Sequence, residues 1–109
     1  MEHRLPQRVA ENEALARKVN EAIERGQWPG EAGADSAFRC ECAVEECNRL
    51  IELTPRAYER VRADPRQFIV VRGHHRPEFE TVVRVETGYL VVQKRGEAGV
   101  RAAELDPRG

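Results

Sequence analysis

Hydrophobic runs are short throughout this sequence, and none approaches the length of apolar residues needed to cross a membrane. Met1 to Gly26 contains no apolar run either, so it does not read as an export signal. Aromatic residues are scarce, at 6% with Trp28 the single tryptophan. That scarcity removes the stacking platforms that binders of single-stranded nucleic acid place among their basic residues. Net charge is also missing: 18 basic against 19 acidic residues leave -1, which gives no overall pull toward a polyphosphate or an anionic membrane. Cysteines number only 3, an odd count, confined to the stretch from Cys40 to Cys47. An odd cluster without an export signal argues against a disulfide framework. Together these absences predict a cytoplasmic protein with no membrane partner.

Catalytic signatures are absent too. The sequence has no His-Glu-x-x-His helix, no phosphate-binding glycine loop, and no pairing of His-x-Glu with Pro-Cys-x-x-Cys. These absences favour a non-enzymatic protein. Were both neighbouring histidines to miss a metal held by the thiols, a water could take the open position, and Glu41, Glu45 and Glu46 would be the nearest candidate bases.

What is present begins with size. A chain of 109 residues is one domain, and one this small buries only about two-thirds of its unfolded surface. A structural metal is a usual way to make up the shortfall. Charge is unevenly spread. From Glu24 to Cys47, six acids face two arginines; from Thr54 to Arg76, six arginines face Glu59 and Asp64. Two opposed patches suit a protein partner or self-association better than a polyphosphate.

Val9 to Arg25 reads as an amphipathic helix, with Leu15, Val19, Ala22 and Ile23 on one stripe and Gly26 as its stop. The stripe either packs on the domain or serves as a docking or dimerisation surface. Gln27 to Ala37 reads as a linker, with Trp28 covering the edge of the core or anchoring a partner. Phe38–Cys42 and Arg49–Leu53 read as two short strands with a turn over Ala43–Cys47. Thr54-Pro55 is a hydroxyl cap followed by proline at the first helical position, so a helix is expected to about Ala63, burying Tyr58 and Val61. Phe68–Arg72 is a further strand closed by Gly73. Thr81–Glu86 and Tyr89–Lys94 form a hairpin about Thr87-Gly88. Beyond Gly96 the chain offers at most a weak helix. The expected fold is α+β: a small zinc-ribbon-like domain with an N-terminal helix, a zinc-knuckle β-hairpin, one central helix and a C-terminal β-hairpin. The organisation reads as residues 1–37 helix and linker, 38–96 metal-binding domain, and 97–109 polar tail.

The chemistry lies in Cys40-x-Cys42-x4-Cys47 and in Gly73-His74-His75. Residues two apart on a strand point to one face, and a turn brings a third thiol back beside them. Three thiolates and one imidazole complete a tetrahedral zinc set, and sulfur and nitrogen donors select zinc over magnesium or calcium. The metal ligands expected are Cys40, Cys42, Cys47 and His74, because Gly73 permits a tight turn that presents the next side chain. His75 is the alternative fourth ligand, and His3 is too remote in the tail to serve.

The block from Phe38 to Gly96 resembles a group of small, mostly uncharacterised bacterial proteins of actinobacterial type. The resemblance rests on Cys40, Cys42 and Cys47, on Leu53, Thr54 and Tyr58, on Phe68 to His74, and on Gly88, Tyr89, Val91, Val92 and Lys94. It covers a little over half the chain. It implies the metal site and favours His74, and it implies no activity.

Three functions fit these observations. The first is a non-catalytic zinc-binding module for protein interaction or regulation, with self-association through the N-terminal helix as one form. The second is a nucleic-acid-binding zinc ribbon using the arginines of Thr54–Arg66, which Glu59, Asp64 and the neutral net charge disfavour. The third is a redox sensor in which Cys40, Cys42 and Cys47 oxidise and release zinc.

Overall fold

Most strands and helices of the central block form near their local signals, but the first strand, expected over Phe38–Cys42, occupies Ser36–Arg39, so it begins in the expected linker and ends before Cys40. The structure, a computed structural model, describes residues 6–26, 35–42 and 47–106. The described residues form three helices and two small antiparallel sheets, an α+β arrangement. Trp28 and the rest of 27–34 in the expected linker, residues 43–46 of the expected turn, and residues 107–109 lie outside the described part, as does His3.

Strand β1 (Ser36–Arg39) pairs with β2 (Leu50–Leu53), Phe38 opposite Ile51 and Arg39 opposite Leu50. The Cys40 N–H donates to Arg49 O at 3.0 Å, carrying the pairing one step past the end of β1. Ile51 and Leu53 are buried while Glu52 faces out, the alternation of a half-buried strand. Helix α2 (Pro55–Arg62) follows at once. The Thr54 hydroxyl accepts from the Ala57 N–H at 3.0 Å, and Pro55, which has no N–H to lose, occupies the first turn. Tyr58 and Val61 are buried as expected, and the Tyr58 ring stacks on Phe38 with centroids 4.6 Å apart.

The second sheet contains β3 (Gln67–Val70), β4 (Glu80–Glu86) and β5 (Tyr89–Lys94) in the order β3-β5-β4. Its middle strand, β5, carries the near-continuous buried run Tyr89 to Val92. At the tip, Gly88 has φ 86°, a left-handed conformation that only glycine adopts cheaply. A register shift at Val83, between Val82 and Arg84, bends the edge strand β4.

Helix α3 (Gly96–Glu104) is firmer than the weak helix expected after Gly96, because it has a packing partner. Ala98, Gly99 and Ala102 are buried, and a Cβ on Gly99 would lie 2.9 Å from Lys94 O, so this glycine allows the helix to approach β5.

The first helix, α1 (Pro6–Gly26), corrects one of the two readings of its apolar stripe, that it packs on the domain. The stripe is largely turned outward: Leu15 is 59% and Val19 39% exposed, Ala22 is exposed, and of the four only Ile23 packs partly on the core. The buried face is instead Glu13, Ala16, Arg17, Asn20 and Glu21. These polar groups are tolerated because each finds partners on another element. The Arg17 guanidinium donates to Pro65 O at 2.7 Å and Gln67 O at 2.6 Å while lying 3.8 Å from the Phe68 ring centroid. Glu21 accepts from Arg62, which also pairs with Asp106. Glu13 accepts from Lys94 Nζ at 2.6 Å, and the same ammonium reaches Glu80. Asn20 behaves like a strand edge: its Oδ1 accepts from the Arg39 N–H at 2.7 Å and its Nδ2 donates to Arg39 O at 2.9 Å. Polar complementarity therefore fixes α1 on the domain.

Candidate metal centre

Cys40 and Cys42 follow directly from β1, two positions apart, so their thiols reach the same side of the chain. Cys47 returns just ahead of β2, and its carbonyl accepts from Arg39 Nη2 at 2.7 Å. The histidine comes from the other sheet. After β3 the chain turns through Gly73 (φ 88°), closed by a bond from the His74 N–H to Val71 O at 2.9 Å, and this turn presents the His74 ring. His74 Nδ1 lies 3.5 Å from Cys40 Sγ and 3.7 Å from Cys47 Sγ. The ligand atoms of Cys40, Cys42, Cys47 and His74 all lie within 4.8 Å of one another.

These distances can be set against a real coordination sphere. A tetrahedron with Zn–S near 2.3 Å and Zn–N near 2.0 Å has ligand–ligand edges of about 3.5 Å for sulfur–nitrogen and about 3.8 Å for sulfur–sulfur. The two sulfur–nitrogen distances match that edge within a few tenths of an ångström, while the 4.8 Å bound on the whole cluster is wider than either edge, so a bound cation would draw the ligands together. The donor set fits a thiophilic divalent cation.

Electrostatics point the same way. The Cys40 thiol is pushed well up from its ordinary pKa, first by its hydrogen bond with Cys42, then by burial and by the neighbouring thiols; the Val71 N–H, donating to Cys40 Sγ at 3.2 Å, opposes the shift. Packed together, the sulfurs resist ionisation unless a cation joins them, and a coordinated cation inverts that preference. The Val71 N–H is already aimed at Cys40 as an outer support for a thiolate.

Glu41 sits between two of the cysteines and points the opposite way, as alternation along extended chain requires. It is fully buried. Its carboxylate accepts from Asn20 Nδ2 at 2.8 Å, the Tyr58 hydroxyl at 2.7 Å and the Ile69 N–H at 3.0 Å, and its own N–H donates to Ile69 O at 2.7 Å. Burial raises the pKa of this carboxyl, while Arg17 and the three donors hold it down. Glu41 therefore joins the cysteine knuckle to α1, α2 and β3, and its oxygens face away from the thiols. Glu45 and Glu46 lie outside the described residues. His75 is not in the four-residue cluster; its Nδ1 is buried without a hydrogen-bond partner.

Sequence reasoning brought forward the four clustered residues and missed their supports. Asn20, Arg17 and the Val71 N–H carry no local signal, since a partner distant in the chain defines the role of each. Glu41 carried a misleading one: alternation places an acid between two buried cysteines on the solvent side of a half-buried strand, yet here both sides of the segment are covered. No family model, curated protein or solved structure matches the chain, so the argument rests on geometry.

Proposed function

We propose that this chain is a non-catalytic zinc-binding protein whose Cys3His centre holds the fold together and presents it to a protein partner. The observation that carries the reading is the convergence of Cys40, Cys42, Cys47 and His74 from two different sheets onto one point. A site with four protein ligands has no open position for substrate, and closed zinc sites serve folding. Here the metal would tie the β1–β2 hairpin to the turn after β3, reinforcing the backbone bond from Glu41 to Ile69 between units that belong to different sheets. Zinc would supply ionisation of the thiols and a fixed junction, while the chain's own residues set the geometry.

The nucleic-acid reading loses support from Arg62, which is buried against Glu21 and Asp106 and is unavailable to a phosphate backbone. The partner proposed is therefore a protein, with self-association as one form. Chelation tests the structural role: adding a strong zinc chelator to metal-loaded protein should abolish cooperative unfolding seen by circular dichroism, and zinc should restore it. An unchanged melting curve in metal-stripped protein would overturn the reading.

A further inference from the structure

Beside the metal centre, with no α1 residue in its lining, lies a surface depression of about 530 Å³ lined by Cys47, Asn48, Arg49, His74, His75 and Arg76, with Gly73 at its turn. Its volume falls within the roughly 300–1,000 Å³ typical of small-ligand sites. Three features give it a chemical preference. Neither the Arg49 nor the Arg76 guanidinium forms an ion pair with a described residue, and of the arginines only these two line the depression. His75 also lines the depression; its Nδ1 is shielded from solvent and has no hydrogen-bond partner, so nothing in the protein opposes a turn of the ring that would bring it to a ligand. Asn48 adds an amide at the rim.

We propose that this depression is an oxyanion site, taking a phosphate or carboxylate group between Arg49 and Arg76 with His75 as a further donor. The charge balance allows it. A divalent cation and three thiolates leave one negative charge, so one guanidinium offsets the centre and the other remains for a ligand. Planar guanidinium groups match the geometry of both oxyanions. The proposal rests on the zinc reading only for that balance.

The test uses the full zinc-loaded chain, labelled with nitrogen-15, titrated at constant ionic strength with inorganic phosphate and, separately, with N-acetylaspartate. Zinc content is measured on the same sample. A saturable shift of the Asn48, Gly73 and His75 amides is expected, weakened about tenfold or more in Arg49→Ala and in Arg76→Ala. Arg72→Ala should leave it unchanged, because Arg72 is exposed, bonds to Glu86 O and does not line the depression. Arg49→Gln repeats the loss should Arg49→Ala fail to fold. Saturation by phosphate alone or by N-acetylaspartate alone identifies which oxyanion the site takes. Shifts that stay linear, or that fall equally in Arg72→Ala, overturn the proposal while leaving a measured zinc centre intact. Saturable binding by a chain that holds no zinc would sink the metal reading and leave the oxyanion site standing.

Discussion

The Asn20 side-chain amide donates to Glu41 Oε2 across 2.8 Å, joining the first helix to the residue that separates two of the clustered thiols. Glu41 cannot move without disturbing Cys40 and Cys42, and Asn20 also holds both backbone polar groups of Arg39. The Cys3His cluster and the docking of α1 are therefore mechanically one assembly.

Asn20→Ala should strip partners from the Arg39 N–H and C=O and from Glu41 at once. Each buried polar group left unpaired costs about 1–3 kcal/mol, so a loss of several kcal/mol is expected in urea denaturation. Zinc affinity should fall as well, by about 10–100-fold, as for other groups that orient a ligand from outside the coordination sphere. Competition with a coloured chelator measures it. Unchanged affinity would separate α1 from the centre.

The buried trio Glu13, Lys94 and Glu80 makes a pH prediction. The Glu13 carboxyl is held well above its usual value near 4.5, mainly by burial; the charge of Glu80 adds to the shift and Lys94 opposes it. The folded chain then binds this proton more tightly than the unfolded chain. The stabilisation is complete below the unfolded pKa and is lost as pH rises through the folded one. Glu13→Gln should thus gain stability relative to the parent as pH rises from about 5 to 8. Lys94→Met should lose about 3–5 kcal/mol, since it leaves buried acids without their cation. A Glu13→Gln difference that is flat with pH would contradict the assignment.

Surface and core positions on α1 should respond in the reverse of what its apolar pattern suggests. Leu15→Ala, at a position 59% exposed, should change stability by no more than about 0.5 kcal/mol. Arg17→Ala should cost several times that, because it vacates the face of Phe68 and strands the Pro65 and Gln67 carbonyls. Thermal denaturation of the two variants side by side decides between polar and apolar docking.

Gly99→Ala offers a smaller test of packing. The new Cβ would stand 2.9 Å from Lys94 O and 3.0 Å from the Arg66 side chain. Overpacking of this kind costs about 1–3 kcal/mol, although alanine is the better helix former. A stabilised variant would show that α3 does not press on β5 as described.

These contrasts show what was legible from sequence. The β1–β2 and β4–β5 hairpins and α2 could be read because their determinants are local: alternation in Ile51, Glu52 and Leu53, the Thr87-Gly88 turn, the Thr54-Pro55 cap. The four clustered residues were legible from thiol spacing and from the glycine before His74. The working face of α1 was not. Its partners Arg39, Glu41, Pro65, Gln67 and Lys94 lie far along the chain, and periodicity counts only apolar residues. The place of β5 at the centre of its sheet depends likewise on pairing that no single segment encodes.

The most direct test of the proposed zinc centre is elemental analysis of freshly reduced protein, set beside His74→Ala and His75→Ala. The account predicts one zinc per chain, retained by His75→Ala and lost or greatly weakened in His74→Ala. Folded protein with no zinc, or zinc lost only on changing His75, would contradict it.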